Sequence, residues 1–173
     1  MMSYALDRAT IAEMLEADPP LVRGYVDLAA QLQPNGFDLT LAEVAAFTEP
    51  GVIGETNAQR RLAEAEPLPF GADGLLHLDP GAYRITFNEV VSLPLDVMTI
   101  GQTRSSLLRS GVAVHGGIGD AGFRGVYQAL LVVYHPGGFT VARNARLLQV
   151  AFFRLAQPVT EGYQGRFQEP PTR

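Results

Sequence analysis

Turn-forming residues cut this chain into runs too short for long helices. Pro34-Asn35-Gly36, Asp79-Pro80-Gly81 and His135-Pro136-Gly137-Gly138 each favour a chain reversal, because proline presets φ and glycine tolerates positive φ. The chain carries 18 Gly and 12 Pro, a load that argues for many short strands rather than a helical bundle. Between the turns the apolar residues alternate. Phe37, Leu39 and Leu41 interleave with Asp38 and Thr40, and Tyr83, Ile85 and Phe87 with Arg84, Thr86 and Asn88. This is the period of a half-buried strand. Val126–Tyr134 is nearly all apolar, which predicts a strand buried on both faces. Leu75–Leu78, Phe139–Ala142 and Leu147–Phe153 read as further strands. The expected fold is all-β, a sandwich or barrel, with a short N-terminal helix.

That helix spans Asp7 to Ala17. Asp7 suits an N-cap, Ile11, Met14 and Leu15 share a face, and Asp18-Pro19-Pro20 stops it. A chain of 173 residues is one domain by default, so residues 1–173 are expected to fold as a single unit. Residues 1–32 form its N-terminal helical segment and residues 158–173, rich in Gln, Gly, Pro and Arg, a C-terminal arm. Residues 49–67 are polar and turn-rich, and read as a long surface loop.

Composition excludes several classes of chemistry. The chain has no cysteine, so there is no disulfide framework, zinc knuckle or thiol nucleophile. All thirteen basic residues are Arg, which rules out a Schiff-base or Walker lysine. The net charge of −5 argues against a nucleic-acid surface. Met1 to Thr10 lacks a basic stretch followed by an apolar run, and no apolar segment is long enough for a membrane helix. No signal peptide, no membrane partner and a cytoplasmic location are therefore expected.

The stretch most suggestive of chemistry is 104–125. Arg104, Ser105, Ser106 and Arg109 place two guanidiniums and two hydroxyls within six residues, groups that match phosphate oxygens. Asp120 follows inside Gly116-Gly117-Ile118-Gly119-Asp120-Ala121-Gly122, where glycines allow a ligand close to the backbone. A lone carboxylate there can orient a water or a sugar hydroxyl. The same residues also suit a plain structural role, with Arg-Ser-Ser opening a helix and Asp120 in a tight turn.

Arg104-Ser105-Ser106-Leu107-Leu108-Arg109 resembles the R-S-S-L-x-R signature of dCTP deaminases and their dUTPase relatives. Asp120-Ala121-Gly122-Phe123-Arg124-Gly125 is similar to the D-[PA]-G-[FW]-x-G element that follows it. Gln33-Pro34-Asn35-Gly36-Phe37-Asp38-Leu39, Leu93-Pro94-Leu95-Asp96-Val97-Met98 and Arg146-Leu147-Leu148-Gln149 resemble further motifs of that superfamily, in its order. The resemblance implies a distorted jelly-roll of the β-clip type, a homotrimer with shared active sites, and Mg²⁺ bound through a triphosphate with water-linked support from Asp38.

Within the superfamily, deaminases use a Glu ten residues after the motif Asp. Leu130 stands there and cannot shuttle a proton. The resemblance therefore points to the deaminase-like dUTP diphosphatases of archaea, which hydrolyse dUTP to dUMP and pyrophosphate. A dCTP deaminase, a non-catalytic deoxynucleotide-binding homologue and an unrelated assembly module are the competing readings. In the roles that the resemblance implies, Arg104, Ser105, Ser106 and Arg109 hold the phosphates and Gln149 adds a phosphate or base-side hydrogen bond. The backbone of Gln128 to Leu130 reads the base, and Phe123 excludes a 2′-hydroxyl. Asp120 holds the 3′-hydroxyl and orients water. Phe123 also suits ordinary core, Gln149 an exposed strand position, and His115 a structural hydrogen bond. In the tail, Tyr163-Gln164-Gly165-Arg166 or Phe167-Gln168-Glu169 stands where relatives fold a capping arm over the nucleotide. In the second register Phe167 replaces a phosphate-contacting Tyr, and Glu169 a Gly.

Overall fold

The computed structural model describes residues 4–168; Glu169 and Pro170-Pro171, to which the tail resemblance extends, lie outside them. The strands are β1 (Tyr4–Ala5), β2 (Val22–Arg23), β3 (Leu32–Gln33), β4 (Gly36–Glu49), β5 (Glu64–Pro67), β6 (Leu75–Leu78), β7 (Gly81–Ser92), β8 (Val97–Thr103), β9 (Val112–His115), β10 (Ile118–Gly119), β11 (Arg124–Val133), β12 (Phe139–Ala142) and β13 (Arg146–Arg154). The helices are α1 (Arg8–Leu15), α2 (Leu28–Gln31) and α3 (Ser105–Leu108). None is long and apolar enough to cross a membrane.

The main sheet runs β10-β8-β13-β4-β7-β11-β9, with β1 on β13, β2 on β7, and β3 and β5 on β4; β12 and β6 pair separately. All pairings are antiparallel. β4 joins two halves of this curled sheet. Residues from Phe37 to Thr40 pair with β13, and residues from Leu41 onward pair with β7. Between the halves lies one core that includes Phe37, Leu39, Leu41, Ile85, Phe87 and Phe152. α1 is capped as its sequence suggests: Thr10 N–H donates to Asp7 Oδ1 at 2.9 Å, and Ile11 and Leu15 are buried.

Three expectations change. β4 is not half-buried, for Asp38 and Thr40 are as buried as their apolar neighbours. Its polar face is covered by groups that satisfy it. Glu89 accepts from Thr40 N at 3.0 Å, Thr40 Oγ1 and Gln31 Nε2, while Arg104 and Arg146 meet Asp38. β11 is not covered on both faces, for Gln128 and Leu130 are exposed, Leu130 by 36%. Residues 49–67 are not wholly loop, since Glu64–Pro67 return along β4 as β5, paired with Ala45 to Phe47 and, past a register shift, with Glu49.

Candidate active site

The segment from β8 to β11 builds the site. β8 ends at Thr103, and the short α3 turns the chain, anchored by buried Leu107. β9 returns to pair with β11 from Leu130 to Val133. Its last residue is His115, after which Gly116-Gly117 carries the chain to β10, on the edge of β8. Because β9 stops opposite Leu130, residues 126–129 of β11 have no strand neighbour on that side among the described residues.

A cavity of about 470 Å³ opens at this gap, within the range of small-molecule sites. Its wall includes Gly119, Asp120, Phe123, Tyr127, Gln128 and Leu148, with Tyr163 and Phe167 of the arm. Asp120 is exposed at the mouth and accepts from Phe123 N–H at 3.1 Å through its carbonyl. The Phe123 ring is 7% exposed and packs between two tyrosines, with centroids 5.2 Å from Tyr127 and 5.3 Å from Tyr163. The Tyr127 hydroxyl shares a 2.7 Å hydrogen bond with Thr99 Oγ1. Burial, opposed by that bond and aided by the Asp120 charge, pushes the phenol up to about 12.

The arm folds onto this wall. Tyr163 N–H donates to Ala121 O at 2.9 Å. The Gln168 carboxamide accepts from Arg124 N–H at 3.0 Å and donates to Gly122 O at 3.0 Å. Gly122 has φ of +81°, and a Cβ there would lie 2.6 Å from the Gly162 Cα, so this crossing requires glycine.

The structure thus brings together Asp120, Phe123, Gln128 and Tyr163 around one cavity, with Gln168 fastening the arm beside it. It does not bring the Arg-Ser-Ser residues to the same wall, which holds no guanidinium among the described residues. Ser105 and Ser106 are exposed on α3 and Arg109 caps its end. Arg104 turns inward, its Nε 2.9 Å from Asp38 Oδ2, beside Arg146 Nη1 at 3.3 Å from the same oxygen. Burial pushes the Asp38 carboxyl up, and the Arg104 and Arg146 charges pull it back. Gln149 is half-buried in β13, opposite Asp38 and Gln102. Leu130 projects from the exposed face, and His115 lies across from it in the ladder. Sequence reasoning missed Tyr127 and Thr99, whose contact spans 28 residues and leaves no local pattern.

Comparison with known proteins fits this geometry. The family described as dCTP deaminase-like matches residues 5–155. A protein of Methanosarcina mazei named probable deoxyuridine 5'-triphosphate nucleotidohydrolase is 41% identical over 162 residues, covering 94% of this chain and 95% of the relative. A protein of the same name from Archaeoglobus fulgidus is 41% identical over 148 residues, 86% of each chain. Among solved structures, the 2'-deoxycytidine 5'-triphosphate deaminase of Agrobacterium tumefaciens shares the fold. Its TM-score is 0.69 at 18% identity, over 89% of this chain and 49% of that one. By the family match along most of its length and these whole-chain relatives, the chain belongs to the dCTP deaminase-like family.

Proposed function

We propose that this chain hydrolyses dUTP to dUMP and pyrophosphate. The observation that carries the reading is one cavity that gathers the Asp120 carboxylate, the Phe123 ring and an open strand edge, with Leu130 where a deaminase would carry its Glu. The names of archaeal relatives matching nearly the whole chain support it. The backbone of residues 126–129 of β11, which has no strand neighbour on that side among the described residues, offers the alternating pattern that a uracil edge can join as a further strand would. Phe123 closes the sugar side against a 2′-hydroxyl. Asp120 holds the 3′-hydroxyl and orients a water toward the α-phosphorus. Oxygen of that water bonds to phosphorus and its proton passes to the Asp120 carboxylate. The bond to the bridging oxygen breaks, and pyrophosphate leaves with the electron pair.

The phosphates need cations that the cavity wall lacks. Arg104, Ser105, Ser106 and Arg109, with Gln149, are the groups that would serve them, and in this reading a neighbouring copy in a homotrimer presents them. Asp38 then acts by holding Arg104 rather than by water-linked support of a metal. Magnesium enters with the nucleotide. No three His, Asp or Glu gather into a cage among the described residues, and Asp38 is taken up by two guanidiniums. The donor set therefore suits an ion held by phosphate oxygens, as Mg²⁺ prefers. When bound, the ion offsets charge developing on the phosphates. Tyr163 and Gln168 keep the arm over the nucleotide.

The test is release of pyrophosphate and of ammonia from dUTP, dCTP, dTTP and UTP offered separately with Mg²⁺. Pyrophosphate from dUTP without ammonia from dCTP is expected. Ammonia from dCTP would instead establish a deaminase.

A further inference from the structure

β10 is only two residues long and ends the sheet, paired on one side with β8 through Ile118–Ile100 and Gly119–Thr99. Asp120 follows it directly, so the carboxylate stands wherever Gly119 is held. The other side of Gly119 is closed by Tyr127, reaching across from β11. Its hydroxyl meets Thr99 Oγ1 at 2.7 Å, and Thr99 is wholly buried. A Cβ built on Gly119 would overlap both hydroxyl oxygens, so the bridge lies directly on the glycine. The ring of Tyr127 also backs Phe123 at 5.2 Å. The Asp120 charge acts on the phenol, which places the two groups within electrostatic range.

We infer that Tyr127, through its hydroxyl bridge to Thr99, is a positioning residue that sets where Asp120 presents its carboxylate. The inference rests on the hydrolytic reading above, in which Asp120 orients the attacking water. Tyr127 has no proton to give or take near neutral pH, so its contribution is geometric. It closes the free side of a two-residue strand that a ladder on one side alone would leave to fray.

The experiment compares Tyr127→Phe, Thr99→Val and their combination, each also in an Asp120→Asn background. Tyr127→Phe keeps the ring and its packing on Phe123 and removes only the bridge. The expected result is a fall in kcat for dUTP on the order of tenfold, with KM within about twofold of wild type. The combined variant should be no worse than either single one, because the same bridge is removed once. In the Asp120→Asn background, Tyr127→Phe should cost nothing further. Hydrogen exchange supplies a readout independent of activity: amides of Gly119 and Asp120 should exchange faster in Tyr127→Phe while those of β13 stay protected. An unchanged kcat, or a loss that persists undiminished without the Asp120 carboxylate, would overturn the inference. If the wild-type protein releases no pyrophosphate from dUTP, the hydrolytic reading fails and exchange decides alone. Faster exchange at Gly119 and Asp120 then supports the positioning role, and unaltered exchange ends it.

Discussion

The guanidinium of Arg104 stands 2.9 Å from the carboxylate of Asp38, whose side chain is only 2% exposed. This pair links β4 to the start of α3, joining two of the stretches that resemble the family's motifs. A buried carboxylate facing two guanidiniums is costly to disturb one partner at a time. Removing Asp38 leaves Arg104 and Arg146 facing each other without a counter-charge. Asp38→Ala is expected to destabilise the protein by about 3 kcal/mol and to weaken nucleotide binding by releasing Arg104. Thermal unfolding and dUTP titration of the same preparation check both effects.

The proposed sharing of sites between copies predicts complementation. Asp120→Asn and Arg109→Ala should each be inactive alone, one lacking the carboxylate and the other a phosphate contact. Unfolded together and refolded as a mixture, they should regain about a quarter of wild-type activity, since some sites then join an intact Asp120 to an intact Arg109. No recovery would place both residues in the same copy's site.

Gln168 fastens the arm by two hydrogen bonds from one carboxamide, to Arg124 N–H and Gly122 O. Two such bonds at about 1 kcal/mol each are enough to hold the arm in place and too few to matter for the fold. Gln168→Ala should raise KM for dUTP several-fold, leave the unfolding temperature unchanged, and speed proteolysis within the arm.

Alkaline unfolding reports on Tyr127. Its phenol, raised to about 12 from 10.0 chiefly by burial, holds its proton longer in the folded state than in the unfolded one. The resulting stability is complete below pH 10 and is lost as pH rises toward 12. Between those values wild type should lose about 2–3 kcal/mol more than Tyr127→Phe, measured by urea unfolding at each pH.

Local chemistry is what the sequence makes legible. The Asp7 cap, the turns at Pro34 and Pro136, and the alternation in Tyr83, Ile85 and Phe87 depend on neighbouring residues, and the fold keeps them. The motif residues Asp120 and Phe123 also meet at one cavity. What sequence hides is whatever depends on distant partners. Asp38 and Thr40 have the spacing of a solvent face, yet Arg146 and Glu89, 108 and 49 residues away, bury them. The apolar run in β11 looks like an interior strand, but Leu130 is 36% exposed, because little among the described residues covers that side. Tyr127 reads as one more apolar position until Thr99 arrives beside it.

In the proposed reaction Asp120 orients the water that attacks dUTP. The most direct measurement is single-turnover pyrophosphate release from dUTP with Mg²⁺, for wild type and for Asp120→Asn, with dUTP affinity measured alongside. Release by wild type is expected, with a loss of at least about a thousandfold in the variant and affinity within about tenfold. Release by Asp120→Asn at near the wild-type rate would contradict it.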